Sequence, residues 1–232
     1  IKAKAVIASL KEERATLEII QQALNKAEGK KMIQSVYTNE QELLKAIITV
    51  HCPDGIDLDP MYFKGNFYKN GIEPPKYKYD IKPIVLGVEQ ADAKNIPLPS
   101  NSIKTLILDP PFMFGIHGKT EKYYSSATHG IFKSFAELEQ LYREILKEAN
   151  RLLKNKGICI FKCQDYTDSK TTMVHCLVWQ WAQEAGFYPK DLAILHLPKG
   201  KVYNSKLIQR HLRKTHSYFW VFEKRNGKCN GK

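Results

Sequence analysis

The chain has 232 residues and a formal charge of +12, with 43% hydrophobic and 11% aromatic residues. That is enough apolar material for one large domain, or a domain plus an appendage, around a buried core. No apolar run approaches the length of a helical membrane span and no signal-peptide pattern opens the chain, so no membrane partner is expected, whereas so large a cationic surplus suits contact with a polyanion, usually nucleic acid.

Residues 2–31 predict a helix: Val6, Leu10, Leu17, Ile20 and Leu24 recur at helical spacing with charges between them. A second helix is expected over residues 39–50, ahead of the turn Pro53-Asp54-Gly55. Short strands follow at Ile56-Asp57-Leu58 and over residues 76–79, with a further candidate strand over residues 84–88. The run from Ile103 to Leu108 is a buried strand that ends at Asp109-Pro110-Pro111-Phe112.

A long amphipathic helix comes next. Ser134 with Glu137 three residues on is a capping-box pattern, and Leu138, Leu141, Ile145, Leu152 and Leu153 mark the apolar face. Lys154-Asn155-Lys156-Gly157 is the expected stop, and Gly157 to Phe161 a buried strand. Residues 173–185 predict a helix stopped by Gly186, with Trp179 and Trp181 as packing residues; residues 192–197 and 218–222 are further strands. Strands alternating with helices predict an α/β fold with a mostly parallel, doubly wound sheet.

The five cysteines, Cys52, Cys159, Cys163, Cys176 and Cys229, are irregularly spaced without a CxxC pair. They predict reduced, buried thiols in a cytosol-like compartment and no metal site. Between Lys199 and Lys214 there are six cations (Lys199, Lys201, Lys206, Arg210, Arg213 and Lys214) and no acid, with Tyr203 and His211 interleaved. That segment suits backbone phosphates.

The Asp109 to Phe112 turn is the most specific chemical signal. Each proline lacks an N–H and biases the preceding residue toward extended geometry, so neither helix nor interior strand can continue through it. A carboxylate, proline carbonyls and an aromatic ring are thereby presented at a strand's C-terminal end, where open α/β sheets bind ligands. Such a group suits a flat molecule carrying an amine. Three acidic turns precede it: Leu58-Asp59-Pro60 with Gly65 further on, Tyr79-Asp80, and Ala91-Asp92-Ala93. A phosphate-binding loop at Gly118-Lys119-Thr120 is excluded, because Met113 stands where that motif needs glycine.

This ordered set resembles the S-adenosylmethionine-dependent amino-methyltransferases acting on DNA adenine or cytosine. The resemblance spans residues 50–224. It implies a Rossmann-like class I methyltransferase fold, with a seven-stranded, mostly parallel sheet and an antiparallel last strand. The N-terminal helices would form a segment over residues 1–38, and the catalytic domain residues 39–232.

The resemblance also implies S-adenosyl-L-methionine as cofactor. Asp59, Pro60 and Gly65 would belong to the cofactor loop, in which Phe63 and Lys64 replace the usual Gly and Ser. Asp80 would meet the ribose hydroxyls and Asp92 the adenine amine. Asp109, Pro110, Pro111 and Phe112 would form the catalytic turn. Lys119, Lys122, Tyr123 and Tyr124 on the following loop, with the basic segment, would contact nucleic acid. DNA adenine is the expected target. Cytosine, RNA adenine and a catalytically silent nucleic-acid-binding subunit are the alternatives.

Overall fold

The computed structural model describes residues 32–115, 132–167, 170–197, 210–212 and 214–225, so the helix expected over residues 2–31 lies outside the described residues. The first described elements are β1 (Val36–Tyr37), α1 (Glu40–His51), β2 (Leu58–Asp59), β3 (Tyr77–Asp80), β4 (Glu89–Gln90) and β5 (Ile103–Leu108). Then come α2 (Phe135–Leu152), β6 (Leu153–Cys163), β7 (Tyr166–Thr167) and β8 (Thr171–Thr172). The last are α3 (Val174–Glu184), β9 (Phe187–His196) and β10 (His216–Lys224).

Among the described residues, eight strands form the main sheet in the order β1-β9-β10-β6-β5-β2-β3-β4. All pairings are parallel except those of β10, which runs antiparallel to both β6 and β9. The predicted Rossmann-like class is found, with an eighth strand. The addition is β1, a two-residue edge strand beside β9. Val36–Tyr37 is too short to carry a period, so the sequence pattern does not reveal it.

The central strands are apolar on both faces because both are covered by helix. Leu106 and Leu108 of β5, with Cys159 and Phe161 of β6, pack among Leu138, Tyr142, Ile145 and Trp181 of α2 and α3. Ile107, Ile158 and Ile160 point the other way, onto Leu43, Leu44 and Ile47 of α1. Trp179, by contrast, is exposed. Ser134 caps α2 by accepting the Glu137 N–H, while the Glu137 carboxylate accepts the Lys133 N–H one residue upstream. Among the described residues, no helix is long and apolar enough to cross a membrane.

Two expectations are corrected. Residues 84–88 are not a strand: Ile84, Val85 and Leu86 are exposed, Gly87 takes φ +81°, and the chain turns from Val85 to Val88. The third strand on that side is Glu89–Gln90. Thiol burial holds for Cys52, Cys159 and Cys163, whereas Cys176 is exposed near the start of α3; Cys229 lies outside the described residues.

Sheet topology places the site. From β2 the chain winds outward through β3 and β4, then returns to place β5 on the other side of β2. The order reverses between β2 and β5, and a crevice opens at their carboxyl ends. Asp59 closes β2 there. Its Oδ1 accepts the Met61 N–H at 2.9 Å and its Oδ2 the Tyr68 hydroxyl at 2.9 Å. Burial raises its pKa to about 7 against those hydrogen bonds, and the charges of Asp109 and Asp80 push the same way as burial.

Parallel pairing of β5 with β6 also requires close approach at Gly157. The register slips between Ile103 and Thr105, and Lys156 takes φ +64°. A Cβ on Gly157 would stand 2.8 Å from the Lys154 carbonyl oxygen and 2.9 Å from that of Lys104. Gly157→Ala should therefore destabilise by about 1–3 kcal/mol, read as a lower denaturant midpoint. Asp59 makes a second prediction. Between the ordinary aspartate pKa of about 4 and its folded value of about 7, the native state holds a proton that the unfolded chain has lost. Wild type should lose stability relative to Asp59→Asn as pH rises through that window, in denaturation curves taken at a series of pH values.

Candidate active site

A cleft of about 360 Å³ opens at the switch point. That is within the range of about 300–1,000 Å³ common for small-molecule sites. Its walls include Pro60, Met61 and Phe63 after β2, Asp80 and Ile81 after β3, and Asp92, Ala93 and Lys94 after β4. Asp109, Pro110, Pro111 and Phe112 after β5 form another wall, with Phe132 and Leu141 completing it. The cofactor and catalytic residues expected from the sequence therefore meet: Pro60, Asp80, Asp92 and all of the proline turn line one cleft, and Asp59 is buried at the end of β2.

The loop after β2 keeps a glycine-like path without its first glycine. Phe63 takes φ +46°, a left-handed conformation that favours glycine, and its N–H donates to Asp80 Oδ2 at 2.9 Å. Gly65 takes φ +64° and does not line the cleft. Its missing Cβ is filled by the Tyr62 ring, whose atoms lie 2.5–2.7 Å from where that Cβ would be. Tyr62 in turn stacks on Tyr68 at 5.3 Å between ring centroids.

Asp80 ties two loops together, since its other oxygen accepts the Lys82 N–H at 2.8 Å. It is buried yet contributes to the cleft wall. Asp92 is more open. Its Oδ1 accepts the Lys94 N–H at 3.0 Å, and the Lys94 ammonium lies 3.5 Å from Oδ2.

The proline turn is held from behind. Tyr142, buried on α2, donates its hydroxyl to the Pro111 carbonyl at 3.0 Å. Asp109 has a side chain 30% exposed, and its Oδ2 lies 3.1 Å from the Lys162 ammonium. Burial on its inner sides raises the Asp109 pKa, and Lys162 opposes that rise. Neither Tyr142 nor Lys162 stands out in the sequence. A single cation inside the buried part of the strand Leu153–Cys163 is the available signal, because a lysine is almost never buried without a partner.

The cleft suits S-adenosyl-L-methionine. Among the described residues that line it, three carboxylates, Asp80, Asp92 and Asp109, face one lysine, which favours a cationic ligand with hydroxyl and amine donors. Phe63, Ile81 and Leu141 add apolar surface for a flat ring. Of the expected nucleic-acid residues, Arg210 is exposed and Lys214 half-buried, and neither lines the cleft. Lys119, Lys122, Tyr123, Tyr124, Lys199, Lys201, Lys206 and Arg213 lie outside the described residues.

The sequence profile of a DNA methylase family matches residues 103–230, from the start of β5 to beyond β10. No curated protein sequence matches the chain. Among solved structures, a protein provisionally assigned as a DNA modification methylase from Thermus thermophilus is 16% identical, with a TM-score of 0.40 over 61% of this chain and 53% of that one. A provisionally assigned hemolysin from Streptococcus thermophilus is 14% identical, with a TM-score of 0.50 over 85% of this chain and 70% of that one. An S-adenosylmethionine-dependent methyltransferase from Thermotoga maritima is 15% identical, with a TM-score of 0.47 over 89% and 99%. The chain spans about half the length of the Thermus protein. With the matched segment covering more than half of the sequence, the chain belongs to the N6/N4 DNA methylase family.

Proposed function

We propose that this chain methylates the exocyclic amino group of a base in DNA, adenine before cytosine, with S-adenosyl-L-methionine as donor. One observation carries the assignment: the Asp109 to Phe112 turn opens into the same cleft as Asp80 and Asp92. An amine acceptor site and a nucleoside-binding wall thus share one space.

Asp80, Asp92 and Pro60 would hold the donor, with Phe63 and Ile81 against its flat ring. Asp59 and Gly65 would act indirectly, by shaping the loop that carries Pro60 and Phe63. When bound, the donor supplies an electrophilic methyl group on a sulfonium. The protein supplies position and electrostatics.

The amine of adenine is a weak nucleophile because its lone pair is delocalised into the ring. Asp109 accepts one N–H and the Pro110 carbonyl the other, which favours a pyramidal nitrogen with its lone pair free. Methylation leaves a cationic, acidic nitrogen, so Asp109 needs only modest basicity to take the surplus proton. Burial, which raises its proton affinity, suits that task. Phe112 stacks on the base face, a contact worth roughly 1–3 kcal/mol.

A paired base cannot reach this turn, so the target is flipped out or single-stranded. Lys119, Lys122, Tyr123 and Tyr124 would contact the nucleic acid. Lys199, Lys201, Lys206, Arg210, Arg213 and Lys214 would grip phosphates, and binding would weaken steeply with salt.

The direct test is incubation with labelled donor and either DNA or RNA, followed by nucleoside mass spectrometry. N6-methyladenine from DNA is the expected product; N4-methylcytosine or a methylated RNA base would reassign the target. No incorporation together with no calorimetric heat on adding donor would sink the enzyme assignment and favour a silent binding subunit. Asp109→Ala should cut methyl incorporation by about 100-fold or more while leaving DNA affinity nearly intact. Tyr142→Phe should lower kcat by about 10-fold with donor affinity retained, because the Pro111 carbonyl loses the donor that fixes the turn.

A further inference from the structure

Among the described residues, Lys162 is the cation closest to the proposed reacting group, and strand register puts it there. In the β5–β6 ladder Leu108 pairs with Phe161, so the next residues, Asp109 and Lys162, stand side by side at the sheet edge. The Lys162 ammonium lies 3.1 Å from Asp109 Oδ2 and 2.8 Å from Oε1 of Glu40 in the first turn of α1. It also sits 5.0 Å from the ring centroid of Phe67 and 5.6 Å from that of Phe219, with only 16% of the side chain exposed. Two acids and two aromatic rings leave this lysine little freedom.

No described residue hydrogen-bonds Asp109 Oδ1. Asp109 itself lines the cleft. We infer that Lys162, steadied by Glu40, is the positioning residue that ties Oδ2 of Asp109 inward and leaves Oδ1 as the acceptor for the substrate amine. The substrate half rests on the amino-methyltransferase function proposed above. The charge half does not, because the ion pair exists in the free protein.

The pairing also makes the turn specific for an acid. Lysine only donates, so residue 109 must give it an acceptor. Aspartate has two acceptor oxygens and satisfies lysine and substrate together. Asparagine has one. Lys162 would claim that oxygen and turn the asparagine NH2 toward the cleft, where it would face the N–H donors of the target amine.

The charges around Asp109 come from several elements. Lys162 on β6 and Glu40 on α1 act most directly. Asp59 at the end of β2 is coupled to it, as are the Tyr68 and Tyr142 phenols, whose hydroxyls already donate to Asp59 and Pro111. Burial acts to lower the Lys162 pKa, but Asp109 and Glu40 outweigh it and hold it at about 12, so the cation persists at neutral pH. Lys162 lowers the proton affinity of Asp109 and Glu40 raises it. Removing one or the other should therefore move Asp109 in opposite directions.

The experiment uses the full chain with 13C-labelled aspartate, following the Asp109 carboxyl by NMR titration. Expected are a higher Asp109 pKa in Lys162→Gln, a lower one in Glu40→Gln and a value near wild type in Lys162→Arg. The acid limb of kcat/KM should move the same way in each variant. Asp109→Asn should be nearly inactive, and Asp109→Asn combined with Lys162→Gln should regain about tenfold over it, because glutamine can donate to or accept from a rotated amide.

Unmoved titrations, or shifts of one sign in both Lys162→Gln and Glu40→Gln, would overturn the positioning role. A double variant no better than Asp109→Asn would overturn the acceptor argument. If Lys162→Gln fails to fold, the downward shift in Glu40→Gln and the constancy in Lys162→Arg decide. If wild type methylates no nucleic acid, the amine assignment falls with the proposed function, and the titrations alone judge the ion pair.

Discussion

Three buried or half-buried aspartates gathered at one sheet edge set the terms for everything around them. Asp59, Asp80 and Asp109 end β2, β3 and β5, and open α/β topology brings those ends together. Burial, with the nearby charges of Asp109 and Asp80, raises the proton affinity of Asp59, and each of the three carboxylates has its own partners. Asp59 is relieved by a backbone N–H and a phenol, with a pKa lifted to about 7 by burial. Asp80 is relieved by two backbone N–H groups from the loops it joins. Asp109 is relieved by a lysine. Three identical side chains thereby acquire different chemistry: a proton-holding strut, a fixed acceptor in a loop clamp, and a charged acceptor at the mouth of the cleft.

The Asp80 clamp bears on how the cofactor loop tolerates its substitutions. A non-glycine residue with positive φ is costly unless its surroundings hold it. Phe63 is held by donating its N–H to Asp80, so the backbone keeps its path and the ring is added to the cleft wall. Gly65 has a different use: it makes room for Tyr62, which stacks on Tyr68, the residue that donates to Asp59. The sequence departs from the glycine-rich pattern, and the departures fold into the same network that relieves the acids.

Much of the fold was legible because its signals are local. Ile103 to Leu108 reads as a buried strand from its apolar run, and the Phe135–Leu152 helix from its period and from Ser134 and Glu137 at its start. Residues 84–88 misled because β-branched residues imitate a strand, whereas Pro83 before the run and Gly87 within it favour the turn that forms. The acids and the proline turn were legible as a motif. Their partners were not. Lys162 reaches Asp109 only through the ladder register, and Tyr142 reaches Pro111 only through the packing of α2 on the sheet. Sequence order carries neither relation.

Charge is divided between scales in a way that suits two ligands of opposite sign. The whole chain carries +12, while the cleft wall presents Asp80, Asp92 and Asp109 against Lys94. A polyanion would feel the long-range positive field, whereas a small cation in the cleft would feel the nearby carboxylates, less screened by salt than surface charges are. Under the proposed activity those carboxylates favour the sulfonium donor over the neutral thioether left after transfer, which aids exchange after each turnover. Lys162 does not spoil this preference. Its charge is directed at Asp109 and Glu40 behind the cleft wall, so it shapes the acceptor without offering the donor a competing cation.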